Sequence, residues 1–296
     1  MTTQITAAMV KELRERTNVG MMECKRALLA SHGDMELAIE ELRKAGIAKA
    51  GKKAGRIAAE GAIVILAKAP GKQSVMLEVN SETDFVARDE NFTKYVDAVA
   101  ATALHAGEQD VDALSTLPLK GRELGTVEEV RQELVAKIGE NVQIRRLVLT
   151  NPASAFVGSY VHGNRIGVMV ELDTENEALA RDIAMHIAAN KPMVISPDAV
   201  PATVVEKEKD IYMTQAAASG KPQDIIEKMV AGRLKKYLDE VSLLGQPFVK
   251  DPDVTVGSLL NKHRTKVLAF YRYEVGEGIE KVVEDFREAV MSQVAR

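Results

Sequence analysis

An acidic and an aromatic side chain, Asp84 and Phe85, are neighbours in the segment EVNSETDFVAR, which spans residues 78–88. The segment follows a strand-like apolar run and precedes a run with helical periodicity, so the pair is expected in the turn between two elements. The chain has no Trp, 6 Phe and 6 Tyr, which makes an aromatic ring at such a junction an unusual placement. A pair of this kind can either wedge into a partner or start a helix.

The helix-starting interpretation rests on a specific pattern. Ser81 is followed three residues later by Asp84, the spacing of a capping box, in which a hydroxyl and a carboxylate satisfy backbone donors at a helix start. Phe85 would then lie in the first helical turn and face the core. The local pattern alone gives the two interpretations about equal weight.

The sequence carries no catalytic or metal-binding constellation. Its five His are scattered without a pair at helical spacing, and the single Cys24 excludes an internal disulfide and a thiolate zinc cage. Cys24 lies on an apolar helix face, where a structural thiol is favoured over a nucleophile. The stretch Gly46–Lys53 imitates a phosphate-binding loop, but it has Lys53 in place of the required Ser or Thr. We therefore predict no catalytic residue, no cofactor and no metal ligand.

Composition predicts a cytoplasmic protein of two or more domains. The 296 residues can bury a sizeable core, and a net charge of -4 with a pI near 5.9 argues against general binding to nucleic acids or membranes. The sequence shows no secretory signal and no apolar run of membrane-spanning length. A basic run at residues 44–56 fits a nucleic-acid patch or a solvated linker helix, and the absence of aromatic residues from the run favours the helix.

Apolar periodicity divides the chain into helical and strand segments. Residues 5–45 predict three short helices, with Thr6 and Asp34 as N-caps. Strand-like runs then predict two hairpins, one turning near Pro70 and the other near Gly163, and each is followed by a helix. The last strand-like run, VLAFYRYEV, is expected at a sheet edge.

The two hairpins read as an internal repeat. VMLEVNSETDFVAR and VMVELDTENEALAR are alike, and this pattern predicts paired antiparallel subdomains instead of a doubly wound parallel sheet. The second copy has Glu177 and Ala178 where the first has Asp84 and Phe85. The fold therefore does not require the acid–aromatic pair, which favours its functional interpretation.

Two further helices are predicted beyond residue 196, joined by Gly220, Lys221 and Pro222. The second of them carries a narrow apolar seam at helical spacing, formed by Ile226, Val230, Leu234, Tyr237 and Val241. A projecting helical hairpin is expected. The seam fits packing within the hairpin and self-association about equally well.

Four segments resemble the bacterial elongation factor Ts family. They are EVNSETDFVAR, LRERTNVGMMECKRAL at residues 13–28, VSLLGQPFV at residues 241–249 and EVGEGIEKV at residues 274–282, and they follow the family's order along the whole chain. One departure is Asn18, where members often have Gly. Asn tolerates left-handed turn conformations, so the turn between the first helices is expected to remain.

The resemblance implies an α+β fold with an N-terminal three-helix ubiquitin-associated-like domain, a core of two related antiparallel-sheet-plus-helix subdomains, an inserted helical coiled-coil hairpin and a C-terminal helix. The implied boundaries are residues 1–55 for the three-helix domain and linker, 56–153 for the first core subdomain, 154–195 with 241–276 for the second, 196–240 for the coiled-coil dimerisation insert and 277–296 for the C-terminal helical module.

The resemblance also implies guanine-nucleotide exchange on the translational GTPase elongation factor Tu, without covalent chemistry. The segment Thr83, Asp84, Phe85 and Val86 is implied to insert into the GTPase and dislocate its magnesium ion. Self-association through the coiled coil is possible, and no membrane or direct nucleic-acid binding is expected. A helical scaffold or an RNA-associated module is the alternative class.

Further contacts with the GTPase are implied at six positions: Arg14, Met21, Met22, His162, Phe248 and Val249. The residues themselves allow plainer interpretations. Met21 and Met22 fit core positions slightly better than surface ones, and His162 fits an ordinary turn residue. Phe248 and Val249 could equally be buried in a loop.

Overall fold

The computed structural model describes residues 5–17, 19–217 and 222–280. In this part of the chain, helices and small antiparallel sheets form an α+β structure, which confirms the predicted class. Three of the expectations above concern residues outside these ranges. They are the turn at Asn18, the junction at Gly220 and Lys221, and the C-terminal helix from residue 281 onward.

The chain divides into two compact units. The first consists of Met1–Val64, Leu77–Leu147 and Glu274–Arg296, and the second of Ile65–Met76 and Val148–Tyr273. The domain boundaries expected from the sequence are finer than this division and stay predictions.

The strands of the described residues form three small sheets. In chain order they are β1 (Glu60–Ala67), β2 (Ser74–Ser81), β3 (Val142–Leu149), β4 (Phe156–His162), β5 (Ile166–Leu172), β6 (Pro247–Phe248), β7 (Asp251–Thr255) and β8 (Val267–Glu274). The sheet orders are β1-β2-β3, β4-β5-β8 and β6-β7, so β8 is an edge strand as predicted. Both hairpins are confirmed, and Gly163 and Asn164 turn the second with φ angles of 55° and 56°, a left-handed conformation that Gly and Asn adopt readily.

The first unit contains α1 (Ala7–Thr17), α2 (Met21–Ala30), α3 (Met35–Lys53), α4 (Glu90–Ala106), α5 (Val111–Thr116) and α6 (Val127–Ile138). Both predicted N-caps are present, because Met9 N donates to Thr6 Oγ1 at 3.3 Å and Leu37 N to Asp34 Oδ1 at 2.9 Å. Helices α1–α3 share a small core that includes Leu13, Leu28 and the buried thiol of Cys24.

The basic run is not a separate solvated linker, so that expectation is wrong in part. Helix α3 continues through it to Lys53, and Gly46 and Ala50 are buried there. A Cβ placed on Gly46 would lie 3.8 Å from Ala136 Cβ, so α3 and α6 approach closely at this point. Lys49 also pairs with Glu23 of α2 at 2.5 Å. The small residues of the run therefore pack within the fold, whereas its basic side chains Lys44, Lys49 and Arg56 are exposed to solvent, as the linker-helix interpretation expects.

The second unit contains α7 (Glu177–Asn190), α8 (Ala202–Ala217), α9 (Gln223–Val241) and α10 (Val256–Lys262). Helix α7 covers β4 and β5, and their shared core includes Val168, Leu172 and Ile183. Close packing is possible because β4 presents Gly158 to Ala180 of α7.

Helices α8 and α9 pack on each other as the predicted hairpin. Ile226 and Val230 of the predicted seam are buried against Tyr212, Met213 and Ala216 of α8. The seam thus serves packing within the hairpin, and self-association stays a prediction.

Candidate functional site

Asp84 and Phe85 lie in the short connection between β2 and α4, which consists of residues 82–89. Strand β2 is buried along its length up to Ser81, and a single 3-10 turn, Val86–Arg88, precedes the helix. The connection holds itself through backbone bonds: Arg88 N donates to Phe85 O at 3.1 Å and Asp89 N to Val86 O at 2.9 Å. The acid–aromatic pair therefore occupies a folded turn.

The capping-box interpretation of Ser81 and Asp84 is wrong. The Ser81 hydroxyl donates to Thr83 O at 2.9 Å, and Asp84 pairs with Arg88 at 3.0 Å. The cap of α4 is Asp89, whose carboxylate accepts from Asn91 N at 2.8 Å. The side-chain amide of Asn91 also donates to this carboxylate and holds the pKa of Asp89 below its usual range. The pattern Asp-Glu-Asn at residues 89–91 could have indicated this helix start.

Phe85 projects into solvent. Its side chain is 82% exposed, whereas the adjacent Val86 is buried. Asp84 beside it is about half exposed, with 45% of its side-chain surface accessible. An aromatic ring held in water beside a carboxylate is a protruding feature, so this site suits insertion into a partner better than enclosure of a small molecule.

Two carboxylates fasten this connection to the turn between α6 and β3. Glu140 accepts two bonds from Thr83, one from its backbone N at 3.0 Å and one from its hydroxyl at 2.8 Å. In the opposite direction, Glu82 accepts from Asn141 N at 2.6 Å and pairs with Arg56 at 3.4 Å. Sequence reasoning did not identify Glu82 or Glu140, because no local pattern signals a contact between residues 57 positions apart.

Comparison with known proteins identifies the group to which this chain belongs. Residues 82–277 match the family profile described as Elongation factor TS. The protein named "Elongation factor Ts" from Legionella pneumophila is 58% identical over 290 residues, covering 98% of both chains. Those from Thioalkalivibrio sulfidiphilus and Idiomarina loihiensis are 57% and 55% identical, again over 98% of both chains.

The chain belongs to the elongation factor Ts family. The resemblance drawn from the four motifs is thereby confirmed, and family membership makes this an elongation factor of protein biosynthesis. The matched region begins at Glu82, the first residue after β2.

The other predicted contact residues of the first unit lie on its surface. Arg14 is exposed on α1, and Met21 and Met22 are exposed at the start of α2. The interpretation of the two Met as core residues is therefore wrong. Unbranched, polarisable side chains on a surface suit adaptable contacts. Contact of Met21 and Met22 with the GTPase stays a prediction.

The predicted residues of the second unit differ in exposure. His162 is exposed at the end of β4, and its Nδ1 lies 3.1 Å from the Tyr160 hydroxyl. Phe248 is buried in the core, 6.0 Å from the His186 ring between centroids, whereas its neighbours Pro247 and Val249 are exposed. Of the two predicted contact residues in this segment, Val249 is therefore the one accessible to a partner, and Phe248 packs in the core beside it.

Neither a membrane span nor a metal centre is found in the part of the chain that the structure describes. None of its helices is long and apolar enough to cross a membrane. No group of three or more His, Cys, Asp or Glu residues there could hold a metal ion.

Proposed function

We propose that this chain is a nucleotide exchange factor that binds elongation factor Tu with GDP bound and releases the GDP so that GTP can bind. The observation that carries the proposal is Phe85, 82% exposed on a fastened connection in a member of the elongation factor Ts family. An exposed ring contributes little to folding and remains available to a partner.

The proposed mechanism uses binding energy. A GTPase holds GDP tightly because magnesium and a glycine-rich loop neutralise the phosphates. A partner that prefers the nucleotide-free state weakens nucleotide binding by the same factor by which the nucleotide weakens binding of the partner. Phe85 inserts between helices of the GTPase domain, while Asp84 disturbs the magnesium ion and its water ligands. Thr83 and Val86 hold these two side chains in place.

The energy available from one ring is of useful size. An aromatic anchor that fills a pocket contributes about 2 kcal/mol or more, which corresponds to roughly thirtyfold in affinity. Because the connection is already folded, little of this energy is lost in ordering it on binding. Arg14, Met21, Met22, His162 and Val249 add further contacts in the proposal, with Phe248 packed in the core beside Val249.

The alternative of an RNA-associated module gains no support from the basic run. Its residues Lys44, Lys49 and Arg56 are paired with Glu40, Glu23 and Glu82. Groups committed to such contacts are less free to bind phosphates. We accordingly propose elongation factor Tu as the partner, with no direct nucleic-acid binding.

The finer architecture belongs to the same proposal. We infer that each three-stranded sheet with its following helix, α4 or α7, is one copy of a repeated plan. The three-helix unit α1–α3 is a docking module, and the α8–α9 hairpin is the element available for self-association, through the face that its own seam leaves free. Exposed Ile211 and Ile225 are candidates for that face.

The exchange function is tested by the release of fluorescent GDP from elongation factor Tu at fixed magnesium concentration. We expect strong acceleration by the intact protein and loss of most of it in the double variant Asp84→Ala, Phe85→Ala. With magnesium chelated, the deficit caused by Asp84→Ala should shrink, because no ion remains to be disturbed. No acceleration by the intact protein would reject the proposal.

A further inference from the structure

The carboxylate of Glu140 uses both its oxygens on one residue of the Phe85 connection. Oε2 accepts from Thr83 N at 3.0 Å, and Oε1 accepts from the Thr83 hydroxyl at 2.8 Å. We propose that Glu140 is a positioning residue for nucleotide exchange, which fixes the connection so that Phe85 is presented to the GTPase. This inference rests on the exchange function proposed above.

The bonds form a short relay across Phe85. Because the Thr83 hydroxyl gives its single proton to Glu140, its lone pairs face the next donor, Val86 N, at 3.4 Å. Thr83 and Val86 are thus tied to each other and to Glu140, and Asp84 and Phe85 lie between them. Hydrogen bonds to an ionised carboxylate are shorter and stronger than those between neutral groups.

Glu140 is itself held in a fixed place. It follows Gly139, whose left-handed conformation (φ 86°) ends α6 with a bond from Gly139 N to Val135 O at 2.8 Å. The next residue, Asn141, is fully buried, and its side-chain amide donates to Arg56 O at 2.7 Å. Asn141 N also donates to Glu82, so the turn and the connection fasten each other reciprocally.

Exposure of the apolar Phe85 ring to water is unfavourable, so the ring stays exposed only while the connection is held in place. Released from Glu140, the connection would sample conformations in which Phe85 covers nearby apolar surface, and only a fraction of molecules would present the ring. Apparent affinity falls by the fraction that is competent to bind. Loss of two charge-assisted bonds predicts about a tenfold loss of exchange efficiency.

The first experiment measures GDP release from elongation factor Tu as a function of exchange-factor concentration, for the full chain and three variants. Glu140→Ala should lower exchange efficiency about tenfold, and Glu140→Gln, which keeps one acceptor oxygen, should fall between it and the unchanged protein. Glu133→Gln is the matched control, since it removes the 2.7 Å ion pair between Glu133 of α6 and Arg122, and it should leave exchange unchanged. Full activity of Glu140→Ala would overturn the proposal.

A double-variant comparison separates positioning from general loss of structure. In a Phe85→Ala background, Glu140→Ala should reduce exchange little further, because its effect passes through the ring. An equal loss in both backgrounds would overturn the positioning role.

Amide hydrogen exchange tests the connection without the GTPase. The amides of Val86 and Arg88, which Glu140 does not touch, should exchange faster in Glu140→Ala than in Glu133→Gln. If the intact protein fails to accelerate GDP release, the proposed exchange function is rejected. The amide measurement still decides separately whether Glu140 orders the connection, and unchanged amide protection would overturn that claim.

Discussion

Two Phe seven positions apart illustrate how differently this chain uses the same side chain. Phe92 on α4 is fully buried, whereas Phe85 in the connection before it is 82% exposed. Burial of an aromatic ring contributes to folding, whereas an exposed ring contributes little to it and remains available to a partner. From this contrast we predict that Phe92 serves stability and that Phe85 serves partner binding.

Substitution of the two rings by Ala should separate these roles. Phe92→Ala removes a packed core side chain and should lower the free energy of unfolding by about 3–5 kcal/mol. Phe85→Ala should change it by less than about 0.5 kcal/mol. Urea unfolding followed by circular dichroism measures both, and a large loss of stability in Phe85→Ala would contradict the assignment of this ring to binding.

His186 is a second residue whose environment defines its state. Its Nδ1 accepts from Val249 N at 3.1 Å, and its Nε2 lies 2.9 Å from Gln246 Oε1, so the neutral ring with the proton on Nε2 satisfies both contacts. Burial lowers the pKa of His186. Protonation of Nδ1 would remove the acceptor for Val249 N and loosen the segment that carries Val249.

The lowered pKa of His186 predicts a pH-dependent stability. An unfolded His titrates near pH 6.5, so the contribution of His186 is fully present above that pH and is lost as the pH falls below it, when the unfolded chain binds a proton that the folded chain does not. The other four His are exposed. Urea unfolding at pH 7.5 and 5.5 should show a smaller decrease in His186→Gln than in the unchanged protein. An equal decrease would contradict the assignment.

At the scale of elements, local patterns predicted the regular parts of the fold. Turn residues at Pro70 and Gly163, and N-caps at Thr6 and Asp34, all lie where the sequence indicated. These features depend on a few neighbouring residues, so a single sequence can reveal them.

The parts that escaped prediction depend on distant contacts. The connection before α4 is fastened by Glu140, which bonds Thr83 from 57 positions away, and no local pattern signals this contact. The second half of α3 packs on α6 through small residues, which leave no apolar stripe to recognise. The exposure of Phe85 likewise follows from tertiary structure, although the missing acid–aromatic pair in the second repeat had already favoured a functional role.

Two Gly→Ala substitutions should have opposite effects on their elements. Gly232 lies on the exposed face of α9 with no atom within 4 Å of an added Cβ, so Gly232→Ala should stabilise the hairpin by about 0.5–1 kcal/mol. A Cβ on Gly158 of β4 would lie 2.4 Å from Ala180 Cβ. Gly158→Ala should therefore destabilise the second unit by about 1–3 kcal/mol. Urea unfolding of the two variants measures the difference, and the same sign in both would contradict the packing described.

At the scale of the whole molecule, the chain matches elongation factor Ts proteins over nearly its full length. Apart from the buried Phe248, the predicted contact residues Arg14, Met21, Met22, Phe85, His162 and Val249 are exposed. Among these residues, we predict that Phe85 has the decisive role in nucleotide exchange.

The most direct test of this central claim compares Phe85→Ala with Leu124→Ala in the release of fluorescent GDP from elongation factor Tu, at saturating exchange factor and fixed magnesium. The two side chains are 82% and 83% exposed, so both variants remove a similar exposed apolar group from the first unit. We predict that Phe85→Ala loses stimulation by about tenfold or more, while Leu124→Ala matches the unchanged protein. Equal stimulation by the two variants would contradict the assignment of exchange to Phe85.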